Sequence, residues 1–102
     1  MTAYVISEVT PRDPDGFSAY RQRAARSIEQ YGGEYIVRGG PVVVLEGEFT
    51  QQMIVLVEFP DSETARRWYR SSEYAEALAV RDHALVRNLL LVEGIASHVS
   101  VT

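Results

Sequence analysis

Three short runs, Val42-Val43-Val44-Leu45, Met53-Ile54-Val55-Leu56-Val57 and Leu89-Leu90-Leu91-Val92, are apolar at every position. A strand with one wet face alternates apolar and polar residues, because successive side chains point to opposite sides of the sheet. Strands written this way are apolar on both faces, so both sides of the sheet must be covered. Residues 4–9 form a further strand-like run that ends at Thr10-Pro11, and residues 35–37 another.

Between these runs lie two helical patterns. Phe17, Tyr20, Ala24, Ile28 and Tyr31 recur at steps of three or four and make one apolar stripe, preceded by the cap signal Asp13-Pro14-Asp15 and ended by Gly32-Gly33. Pro60-Asp61-Ser62-Glu63 opens a second helix carrying Ala65, Trp68 and Tyr69; Ser71-Ser72 interrupts it and caps a further piece with Tyr74, Leu78, Arg81 and Leu85 on one line. The last strand covers residues 86–95. Arg38-Gly39-Gly40-Pro41 separates residues 35–37 from 42–45, either as a bulge in one long strand or as a turn between two short ones.

The order is β-α-β-β-α-β. It predicts a ferredoxin-like α+β domain over residues 1–95, with a tail at 96–102. Right-handed crossovers that each skip one strand give the spatial order 4-1-3-2 in a four-stranded antiparallel sheet with its helices on one face. Those helices cover only one side. The other side calls for a second copy of the chain, sheet against sheet, in an isologous homodimer.

The pieces Tyr31-Gly32-Gly33, Arg38-Gly39-Gly40, Leu45-Glu46-Gly47, Glu58-Phe59-Pro60, Trp68-Tyr69, Ser72-Glu73-Tyr74, Arg81 and Val92-Glu93-Gly94 resemble, as an ordered set, a bacterial family known as domain of unknown function 1330, within the dimeric α/β-barrel superfamily. The resemblance runs over residues 4–95. It implies a ferredoxin-like protomer and a dimer whose two sheets form a barrel, and it implies no activity. Relatives in the superfamily include cofactor-free monooxygenases, haem-dependent enzymes, small-lactone isomerases and ligand-sensing modules, and these are analogies of fold alone.

Composition narrows the chemistry. The chain has 102 residues, no cysteine, and ten basic residues, all of them arginine. Thiolate nucleophiles, Cys-ligated metals and lysine Schiff bases are therefore excluded. A net charge of −4 disfavours a nucleic-acid partner, and no apolar run approaches membrane-spanning length. The cytoplasm is the expected location, with no cofactor. His83 stands where a haem-binding relative would place an axial ligand, but Arg81-Asp82-His83 reads as an exposed turn.

The candidate site residues are Tyr20, Arg38, Glu58, Trp68, Tyr74, Arg81 and Glu93. Glu58 and Glu93 fall at the same end of the expected sheet, on the third and fourth strands that flank the first, and, if their faces match, form a carboxylate pair flanking Tyr4. Arg38 lies beside two glycines and Arg81 on an apolar stripe. Each either grips a substrate carboxylate or enolate, or forms an internal ion pair with Glu46, Glu58 or Glu93. Tyr20, Trp68 and Tyr74 read either as core or as the wall of a small-molecule pocket. Together they point to a small-molecule-binding protein acting on a small organic anion without a cofactor, or to a non-catalytic sensing or structural dimer module.

Overall fold

The computed structural model describes residues 1–95; the tail expected at 96–102 lies outside the described residues. The elements follow in the order β1 (Ala3–Pro11), α1 (Pro14–Gln30), β2 (Glu34–Arg38), β3 (Met53–Phe59), α2 (Ser62–Arg70), α3 (Ser72–Ala84) and β4 (Leu85–Glu93). The strands form one antiparallel sheet in the order β2-β3-β1-β4, the order expected from the sequence. No helix among the described residues is long and apolar enough to cross a membrane.

Local chemistry explains where the helices start and stop. The Asp13 carboxylate accepts from the Gly16 amide at 3.0 Å, with Pro14 in the first turn of α1. The helix ends in a Schellman motif: Gly32 has φ +75°, and the Gly33 amide donates to the Ile28 carbonyl at 2.9 Å. Ser71 closes α2 by donating to the Trp68 carbonyl at 2.6 Å and opens α3 by accepting from the Tyr74 amide at 3.0 Å. One hydroxyl thus sets the bend that brings Trp68 and Tyr74 together, ring centroids 4.2 Å apart.

On β1, Ala3, Val5, Ser7 and Val9 face the helices, and Tyr4, Ile6 and Glu8 face the other way. The core lies between this inner face and α1, α2 and α3, with Phe59, Trp68, Tyr74 and Ile28 at its centre. Gly33 packs tightly against it. A Cβ there would lie 2.7 Å from Ile28 Cγ2 and 2.9 Å from Phe59 Cε1, so Gly33→Ala should destabilise by about 1–3 kcal/mol, read as a lower urea midpoint.

The outer face carries Ile6, Ile54, Leu56, Leu90 and Val92, and Leu90 remains 52% and Val92 45% exposed. The two-faced strands are therefore real at β3 and β4. The expected strand at 42–45 is not formed. Residues 39–52 are a loop, and Leu45 is 90% exposed. An apolar run makes a strand only where a neighbour takes its backbone hydrogen bonds, and the pairing of β2 with β3 ends at Arg38–Val55, so residues 42–45 have no partner in the sheet.

Candidate functional site

A cleft of about 130 Å³ opens between the inner face of the sheet and α1. Its floor is apolar, built from Val5, Val9, Val55 and Val57, and its roof is Ala24 and Ile28 of α1, with Trp68 closing one side. The polar groups reaching it are Ser7, Tyr20, Tyr35, Arg21, Arg38 and Arg87. Among the described residues three cations line it and no carboxylate does, in a chain whose net charge is −4.

Arg87 is the centre of the polar set. It lies on the inward register of β4, opposite Val9, and is half-buried. Its guanidinium donates to the Tyr20 hydroxyl and, at 2.6 Å, to the Tyr74 hydroxyl. The two phenol oxygens lie 2.7 Å apart, so one donates to the other. That leaves a single phenolic proton unassigned. Tyr74 is wholly buried, whereas Tyr20 borders the cleft. Among the described residues the one ion pair is Arg81–Asp82, so Arg87 has phenols around it and no carboxylate.

Arg38 reaches the cleft because β2 is bulged. Tyr35 pairs with Val57 and Arg38 with Val55, both on the inner face, although Arg38 is three positions beyond Tyr35; the extra residue, Ile36, breaks the alternation. The Arg38 guanidinium lies 4.2 Å from the Tyr35 ring centroid, and that of Arg21 lies 5.6 Å from Phe17.

Burial holds the Tyr20 hydroxyl far above its ordinary value of 10.0; the Tyr74 phenol adds to this, and Arg87 pulls the other way. Burial also raises Tyr35, against the pull of Arg38 and Arg21. Burial pulls the Arg87 guanidinium down, but the two phenol oxygens outweigh it and the net displacement is upward. Tyr20 and Tyr35 thus keep their phenolic protons at neutral pH and the Arg87 guanidinium stays charged. Tyr20's folded value exceeds its unfolded one, so its contribution to stability is present below pH 10.0 and lost as pH rises above it. Urea midpoints followed from neutrality to about pH 11 should fall less steeply for Tyr20→Phe than for the parent chain.

Tyr20, Arg38 and Trp68 line the cleft, and Tyr74 supports it from behind. Three other expected residues are elsewhere. Glu58 pairs with Tyr4 and Glu34 on the outer face, while Glu93 pairs with Ala3 on the inner face, where it accepts from Ser62 Oγ at 2.9 Å. Their faces do not match, so the carboxylate pair is not formed. Arg81 neither enters the cleft nor meets Glu46, Glu58 or Glu93. Its long stem carries the charged head to the rim, where Nε lies 3.3 Å from Asp82. His83 is exposed, as expected. Among the described residues no group of three metal-ligating side chains stands together.

Arg87, Tyr35, Arg21 and Ser7 were not among the expected site residues. Arg87 carried one signal: it interrupts Leu85, Leu89 and Leu91 on a common register, but the apolar residues on both faces of that strand hid which register is inward.

The model of the family described as a domain of unknown function, DUF1330, matches residues 2–95. No curated protein matches the sequence significantly. Among solved structures, the chain is similar to RPA0582, a protein of unknown function from Rhodopseudomonas palustris, at 19% identity over 94% of this chain and 84% of that one, TM-score 0.74. It is similar to SnoaB, a cofactor-independent oxygenase from Streptomyces nogalater, at 13% identity over 96% and 97%, TM-score 0.61. Rv0793 from Mycobacterium tuberculosis is 14% identical over 96% and 99%, TM-score 0.57. At these identities the likeness is one of fold.

Proposed function

This chain belongs to the DUF1330 family, and because that description assigns no activity we propose a function from the cleft itself: it binds a small organic anion with an apolar body. One observation carries the reading. Arg87 is held by two phenols instead of a carboxylate, in a cleft that no acidic side chain lines among the described residues. A half-buried cation with no carboxylate partner among the described residues leaves its charge unneutralised, and a ligand oxyanion would supply the missing charge through paired guanidinium hydrogen bonds. With Tyr74 as the donor of the phenol pair, the free Tyr20 proton offers a third donor.

The same lining speaks to chemistry. Among the described residues no His, Asp or Glu borders the cleft, a lining that favours holding an anion over making one. If the protein is an enzyme, its contribution is to stabilise an oxyanion of substrate, which is compatible with a cofactor-independent reaction of the kind named for SnoaB. Binding without reaction uses the same groups.

Isothermal titration with benzoate and with benzamide, its neutral counterpart in shape, separates anion recognition from simple apolar filling. Saturable binding of benzoate, absent for benzamide and weakened by salt, is the expected result; equal binding of both would overturn the reading.

We infer further that two copies pair through the outer face, since Leu90, Val92, Ile54 and Leu56 form an apolar surface that the chain's own helices leave open. Native mass measurement should give twice 11.4 kDa; a monomer at micromolar concentration would refute it.

A further inference from the structure

The cleft's cations stand at opposite edges of the sheet. Arg38 on β2 pairs with Val55, Val55 with Ser7, and Ser7 with Leu89 of β4; Arg87 is the next inward residue along β4. Three strand spacings, roughly 14 Å, separate the two edge backbones. Each guanidinium is also fixed by different aromatics: Arg87 by the Tyr20 and Tyr74 hydroxyls, Arg38 by the face of Tyr35. Between them the floor is Val55 and Ser7.

Arg21 adds to the Arg38 end. Arg21 and Arg38 together border a surface groove with Phe17 and Pro14, which Arg87 does not reach. The cleft therefore has an inner positive pole and an outer one. Neither pole has a carboxylate partner among the described residues. One carboxylate is matched by one guanidinium fork, so a single anion leaves the other pole uncompensated. The volume of about 130 Å³ is near that of an apolar cavity that accepts benzene, about 150 Å³.

We propose that the ligand carries two acidic groups at opposite ends of an apolar body about one ring in size, one seated on Arg87 and Tyr20 and the other on Arg38. The proposal rests on the anion reading of the cleft and names its substrate class: small diacids.

The test is a calorimetric titration at low salt with benzoate, terephthalate, isophthalate and monomethyl terephthalate, which keeps the shape of the diacid and removes one charge. At least one diacid should bind about tenfold tighter than the monoester and benzoate, a modest gain because Arg38 is exposed. In Arg38→Gln, an exposed position where substitution spares the core, that preference should fall to about twofold or less. A monoester that binds as tightly as the diacid, or a preference that survives Arg38→Gln, overturns the proposal while the anion reading stands. If benzoate too fails to bind, the anion reading falls and this proposal with it.

Discussion

Replacing Arg87 with methionine is expected to abolish benzoate binding while leaving the free energy of unfolding within about 1 kcal/mol of the parent chain. The two halves of this outcome have one cause. Arg87 carries a charge into a half-buried position without a carboxylate partner among the described residues, and its two hydrogen bonds go to phenol oxygens that also bond each other at 2.7 Å. Methionine fills most of the same space, removes the desolvation penalty and leaves the Tyr20–Tyr74 bond in place. Loss of the charge removes the group on which a ligand oxyanion would sit. Should the variant instead lose about 3 kcal/mol or more, Arg87 would be a structural strut. Arg87→Lys is the matching control. It keeps the charge but lacks the planar fork that reaches both phenols, so it should fold and bind weakly.

Trp68→Ala is expected to cost about 3–5 kcal/mol, a large part of the roughly 5–15 kcal/mol that holds a domain of this size together. Trp68 is 3% exposed, tilted against Phe59 at 5.3 Å and Tyr74 at 4.2 Å, and its Nε1–H donates to Ser27 Oγ at 3.0 Å. Truncation empties the junction of α1, α2 and the sheet, and relaxation there is limited by the rings on each side. The midpoint of thermal unfolding should drop on the order of 20 °C. Trp68→Phe keeps most of the volume and loses the Ser27 bond, for about 1 kcal/mol. A small loss for Trp68→Ala would mean that the ring serves the cleft more than the core.

Much of the frame was legible because helices announce their ends chemically. Asp13, Gly32, Asp61 and Ser71 each marked a boundary that the backbone obeys. The strand order followed from connection rules. What was not legible was which way each strand faces. Where both sides are apolar, as in Leu89-Leu90-Leu91-Val92, the alternation that assigns a face is gone, and with it the inward placement of Arg87. The same ambiguity left open whether Glu58 and Glu93 share a face; they lie on two. Residues 42–45 were misread for a related reason, since strand composition does not say whether a pairing partner is free. Tyr20, Tyr74 and Trp68 were found because helical spacing gives a face directly; their joint purpose was not, because it depends on Arg87.

The extra residue in β2 has a consequence for comparing this chain with others. Tyr35 and Arg38 share a face only because two residues, Ile36 and Val37, stand against the single Leu56. A shorter relative reading Tyr-Val-Arg without the isoleucine would pair in plain alternation and present the same ring and the same guanidinium to the same place. In an alignment that relative would show a gap, and the gap would be silent. A relative of equal length with a straight strand would align without fault at every column and yet turn its arginine to the opposite side of the sheet. At this position strand length and register, more than residue identity, carry the heritable information about the outer pole of the cleft.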